Sequence, residues 1–134
     1  MPRTVVSDMP PHEFRFLREY LGFTTKDIAE ILKVQNRTVQ AWDRERNASI
    51  PAKELLIDEV EKVDGWIASQ LKESLLKFAE NGGNPVMLRL FSSLEELQRI
   101  YPMFRRINHY EAALRGLVSV LSERGIKFYL ERNL

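Results

Sequence analysis

With 134 residues, 44% of them apolar, a formal net charge of +1 and no cysteine, the chain is sized for one domain or two small lobes built on a hydrophobic core. The lack of cysteine excludes disulfide staples, thiolate zinc sites and a cysteine nucleophile, and it fits a reducing cytoplasm. No charged n-region with an apolar h-region opens the chain and no run approaches the ~18 apolar residues of a membrane span, so a soluble, cytoplasmic protein is expected.

A first helix is expected from Pro10 to Leu21. The stretch Leu21 to Trp42, LGFTTKDIAEILKVQNRTVQAW, then lays two short amphipathic helices around a four-residue break. In the first of these, Ile28, Ile31 and Leu32 recur at i, i+3, i+4, and Ala29 is small where a second helix must approach closely. Thr24 is a natural cap, and Asp27, three residues on, can return a hydrogen bond to it and favours the positive helix end. In the next helix Val39 and Trp42 form the inward stripe, which places Trp42 in the core. Asn36, Arg37, Gln40, Ala41 and Arg44 are left facing outward, and long polar side chains of this kind suit base edges or phosphates.

These residues resemble the lambda-repressor-like, or Xre-type, helix-turn-helix family, whose pattern reads roughly L-G-hydrophobic-T-x-x-[DE]-hydrophobic-A-x-x-L-G-V-S-x-x-T-V-x-x-W-[DE]. The chain matches it at Leu21, Gly22, Phe23, Thr24, Asp27, Ile28, Ala29, Leu32, Val34, Thr38, Val39, Trp42 and Asp43. It departs from it at Lys33 in place of the turn glycine, Gln35 in place of the serine cap, Glu45 in place of a loop glycine, and in a loop from Asp43 to Pro51 that is one residue longer. The resemblance implies that the second helix enters the major groove of double-stranded DNA, with Gln35, Asn36, Arg37, Gln40 and Ala41 at base edges. Thr25 and Lys26, at the start of the preceding helix, would hold a phosphate, as would Arg44, Arg46, Asn47 and Lys53 around the following loop.

Net charge alone does not suggest a polyanion, but its distribution does. From Lys33 to Lys53 five bases (Lys33, Arg37, Arg44, Arg46, Lys53) face two acids (Asp43, Glu45). From Glu54 to Asp64 five acids face Lys62 alone.

After Pro51 the apolar residues Leu55, Leu56, Val60, Val63, Ile67, Leu71, Leu75 and Phe78 keep helical spacing, which predicts one long helix or two with a break near Asp64-Gly65. Trp66 on this segment packs beneath the helix or at a dimer seam. Asn81-Gly82-Gly83-Asn84-Pro85 stops the helix. Val86 to Phe91 reads as a strand, Ser92 or Ser93 caps a helix that ends near Tyr101-Pro102, and Asn108 with Glu111 opens a further helix that Gly125 closes. Ile126 to Leu130 is the last expected strand.

The fold expected is mainly α with a small α+β C-terminal lobe: a helix-turn-helix unit over 1–64, a connecting helix over 65–81 and a strand-helix-helix-strand lobe over 82–134. Two strands make a marginal sheet, and an apolar edge invites another chain, so a homodimer is expected through Val86, Leu88, Leu90, Leu114, Leu117, Val118 and Leu121. Small autorepressors linked to anti-CRISPR operons are similar in element order and size, which implies repression of the protein's own operon.

Catalytic patterns do not assemble. His109-Tyr110-Glu111 has the H-x-E spacing of zinc deaminases without their cysteines, and His12 is isolated at a helix start. Gly82-Gly83 lacks the lysine and serine of a phosphate-binding loop. The expectation is a sequence-specific DNA-binding regulator, not an enzyme, with no metal, no cofactor and no membrane partner. The alternatives are an antitoxin that also covers a toxin, and an RNA- or protein-binding adaptor on the same fold.

Overall fold

The computed structural model describes residues 8–133. Among them the chain is mainly helical, with a two-stranded parallel sheet near the C-terminal end. It divides into two compact units, one up to Glu61 and one from Lys62 onward. Residues 65–81 therefore belong to the second unit. No helix among the described residues is long and apolar enough to cross a membrane.

In the first unit, α1 (Pro11–Tyr20) begins with proline in its first turn, where the missing N–H is an orphan donor anyway. α2 (Thr25–Leu32) opens with the reciprocal cap: Asp27 N–H donates to Thr24 Oγ1 at 3.0 Å, and Thr24 N–H donates to Asp27 Oδ2 at 2.9 Å. Its last turn runs through Leu32, so only Lys33 to Gln35 separate it from α3 (Asn36–Arg44), one residue fewer than expected. Lys33 takes φ 58° and ψ 46°, the left-handed conformation, and its N–H returns to Ala29 O. A lysine thus holds a turn conformation that favours glycine, at a cost on the order of 1 kcal/mol.

α1 and α2 both pack on α3. The core holds Phe14, Phe23, Ile28, Val39, Trp42 and Leu56. Phe14 meets the Trp42 ring edge-on with centroids 5.9 Å apart. The long loop after α3 is anchored by buried Ala48, whose N–H donates to Met9 O at 3.1 Å.

α4 (Ile50–Glu80) is one unbroken helix of 31 residues. Ser49 Oγ accepts from Ala52 N–H at 3.2 Å ahead of Pro51, and Gly82 and Gly83 close the far end at positive φ. Gly65 does not break it, because the propensity loss at one glycine is small against thirty other residues. A Cβ at Gly65 would meet nothing within 4 Å. Gly65→Ala is therefore expected to raise stability by about 0.5 to 1 kcal/mol, read as a higher midpoint in urea unfolding followed by circular dichroism. A lower midpoint would show a packing role for the bare backbone there.

The second unit joins the C-terminal half of α4 to β1 (Val86–Phe91), α5 (Leu94–Ile100), α6 (Ile107–Glu123) and β2 (Phe128–Asn133). β1 and β2 pair in parallel, with Val86 opposite Phe128 and Leu88 opposite Leu130, as two intervening helices allow. Ser93 caps α5. Two expectations are corrected here. α6 starts at Ile107 behind Arg106, without a side-chain cap, and Asn108 lies inside its first turn; buried His109 instead accepts from Arg105 N–H at 3.3 Å through Nδ1. β2 starts at Phe128 rather than Ile126, because Gly125 at positive φ turns the Ile126 N–H back onto Leu121 O at 2.9 Å.

Trp66 is buried, its ring edge-on to Tyr101, Phe104 and Tyr110 at 5.3–5.6 Å. It is a core residue of this unit rather than a residue exposed at a seam. The expected dimer residues Val86, Leu88, Leu114, Leu117 and Leu121 are likewise buried in the unit's own core, leaving Leu90 and Val118 partly exposed. The reason is that the core includes α4 from Lys62 on, so it hides more apolar surface than the segment 82–134 would alone.

Candidate nucleic-acid interface

α3 has two chemically distinct faces because Val39 and Trp42 are drawn into the core. Rotating away from that stripe, Asn36, Arg37, Gln40 and Arg44 are exposed and Ala41 is half-buried. Gln35 precedes the helix in extended geometry and makes no side-chain cap. Its amide is exposed and makes no hydrogen bond to the helix end, where the Thr38 N–H returns to Gln35 O at 3.0 Å. Such an end offers free donors and the positive pole of the helix dipole to an anion.

Arg37, Gln40, Ala41, Arg44 and Arg46 border one open concavity of about 350 Å³, with Glu45 at its edge. The loop after α3 thus brings two of the expected phosphate contacts, Arg44 and Arg46, beside three of the expected base contacts. Gln35, Asn36, Thr25, Lys26, Asn47 and Lys53 lie outside this concavity. Thr25 is half-buried and Lys26 exposed at the start of α2, while Asn47 is exposed in the loop.

Two ion pairs adjust the electrostatics. Arg18 Nε and Nη2 reach Asp43 Oδ1 and Oδ2 at 2.9 and 3.1 Å, and Arg18 Nη1 donates to Phe23 O at 2.8 Å. This two-pronged, largely buried contact ties α1 to the end of α3 and neutralises one of the two acids in the basic block. Sequence reading missed Arg18, though the acid that follows Trp42 was the available signal. The second pair joins Lys53 to exposed Asp8, whose carboxyl is held below its ordinary pKa by the Lys53 hydrogen bond and then by its charge. A solvent-exposed carboxylate is a weak competitor, so a phosphate can displace it.

With Asp43 cancelled, the segment from Lys33 to Arg46 carries the exposed bases Lys33, Arg37, Arg44 and Arg46 against Glu45. Guanidinium groups at this density can fork onto phosphate oxygens or guanine edges, and Asn36 and Gln40 can pair with adenine. Among the described residues, no group of three or more His, Cys, Asp or Glu could hold a metal ion. No protein-family model matches the chain, and no curated protein is similar to it.

Proposed function

We propose that the chain is a sequence-specific regulator of transcription that reads double-stranded DNA through a lambda-repressor-like helix-turn-helix, acting as a homodimeric repressor at an inverted repeat in its own operon. One observation carries this reading: α2 and α3, joined by three residues with Lys33 left-handed, bury Val39 and Trp42 while a basic, uncapped face of α3 stays open. A helix presented in this way fits the major groove, whose base edges match the donors and acceptors of Asn36, Arg37 and Gln40.

The second unit supports a dimer. Leu90, Val118, Phe128 and Leu130 line an open apolar groove of about 470 Å³ between α6 and β2. Glu111 and Arg115, one turn apart on α6, also border it, so a twofold-related copy would bring an acid to each base. A toxin could cover the same groove, which is why the antitoxin reading stands second.

Selection of bound sites from random duplex DNA tests the reading directly. The expected product is an inverted repeat with half-site centres about 34 Å, or a multiple of that, apart. Recovery of no common sequence, or a preference for single strands, would move the chain to the adaptor class. On the selected site, Arg37→Ala is expected to lose about 1 to 3 kcal/mol with a much smaller loss on random duplex. Arg44→Ala and Arg46→Ala are expected to weaken all duplexes and each to flatten the log-log salt slope by about one unit. Equal losses for Arg37→Ala on both DNAs would reassign it to phosphate.

A further inference from the structure

The inward face of α4 changes character along its length. Val63, Trp66, Ile67 and Leu71 make an apolar stripe in the second unit, but the same stripe carries Gln70 and Ser74, the latter only 6% exposed, while Leu75 and Leu76 are 38% and 57% exposed. Helix packing alone would place leucine inward and serine outward. Polar side chains on an inward face need polar surroundings, and those of Gln70 and Ser74 find them at the cleft they line.

The inverted stretch borders a cleft of about 130 Å³ between α4, β1 and α6. Close approach at Gly116, where a Cβ would stand 2.9 Å from Ile67 Cδ1, brings α6 tightly onto α4. Trp66, Tyr101 and Tyr110 supply aromatic walls, and Gln70, Ser74 and Arg89 supply polar ones. Trp66 Nε1 is buried with no acceptor. Tyr101 Oη reaches Gln70 Oε1 only at 3.5 Å, the outer limit of a hydrogen bond, whereas Tyr110 Oη is already committed to Arg89 O at 2.7 Å.

Charge selects the ligand. At the border of the cleft Glu73 is paired with Lys77 at 3.6 Å, while Arg89, which has Glu131 as its cross-strand neighbour, makes no ion pair within 4 Å among the described residues. Burial raises the pKa of both phenols, with Glu73 adding to the effect at Tyr101. Tyr101 therefore remains a neutral donor across the physiological range. A cavity of about 150 Å³ accepts benzene, which sets the size of the ligand body.

The geometry points to a binding site for a small organic carboxylate, its anionic end on Arg89 and the Tyr101 hydroxyl, and its apolar body against Trp66 and Tyr110. This site is independent of the DNA reading, since every residue in it belongs to the second unit.

The test uses the full chain, with sodium benzoate as the probe and benzamide as its neutral counterpart of the same shape, followed through the indole N–H resonances of Trp66 and Trp42. Benzoate is expected to shift the Trp66 signal saturably with a dissociation constant on the order of millimolar, as suits so few atoms, and to leave the Trp42 signal in place. Benzamide is expected to bind about tenfold or more weaker, and Arg89→Gln to weaken benzoate by a similar factor, the loss of one charged hydrogen bond. Arg89 is exposed, so that variant keeps its fold. Ser74→Leu, which fills the cleft, is expected to abolish the shift. Failure of benzoate to saturate, equal binding of benzamide, or unchanged binding by Arg89→Gln would overturn the proposal and leave a cleft that holds water.

Discussion

Trp42→Ala is expected to lower the stability of the first unit by about 3 to 5 kcal/mol, the usual loss when a large buried aromatic is truncated. Trp42 is 5% exposed and its ring abuts Phe14 at 5.9 Å. Removing it leaves a cavity between α1 and α3 that neither helix can close, because the Arg18–Asp43 clamp fixes their separation next to the gap. Domains of this size are stable by about 5 to 15 kcal/mol in total, so the variant would be partly unfolded at modest denaturant. Urea titration followed by helical circular dichroism measures the loss, and a midpoint equal to that of the parent chain would remove Trp42 from the core. Binding to DNA is expected to fall in parallel on specific and random duplexes, since the whole of α3 loses its support.

The other large effect is expected from Leu130→Glu. Leu130 is 48% exposed beside Leu90, Val118 and Phe128, so a glutamate there leaves the isolated chain's stability within about 0.5 kcal/mol. In a dimer it would bury an added charge in the apolar groove, where Arg115 would already face the acid of the copy. A twofold axis normal to the sheet can join β2 to its copy only in antiparallel fashion, which would extend two strands to four and cover the open edge. Light scattering is expected to change from dimer to monomer, and affinity for the inverted repeat to fall about a hundredfold or more as the two half-sites become independent. A parent chain that is monomeric at micromolar concentration would sink the dimer and bring the antitoxin reading forward. A Leu130→Glu protein that stays dimeric would relocate the interface.

Features whose causes lie within three or four residues were legible in the chain. The Thr24–Asp27 cap, the Val39 and Trp42 stripe, the glycine stop after α4 and the Ser93 cap are each written by neighbours along one turn of helix. For the same reason the exposed set on α3 could be named before the fold was known. The left-handed geometry of Lys33 is not written in its residue type, because lysine adopts it only when the packing of α2 and α3 on each other leaves no other route for the chain.

Contacts between distant residues left no such mark. Arg18 and Asp43 are separated by 25 positions, and the acid after Trp42 does not by itself name its partner. Strand identity followed from composition, but the parallel partner and its register depend on how α5 and α6 carry the chain between them. Burial was misjudged where it depended on a neighbour contributed from elsewhere: Leu114, Leu117 and Leu121 are hidden because α4 from Lys62 onward shares their core. The polar stripe of Gln70 and Ser74 is likewise silent in a pattern of hydrophobic spacing. Sequence periodicity determines which residues share a face, but only the tertiary structure decides what that face meets.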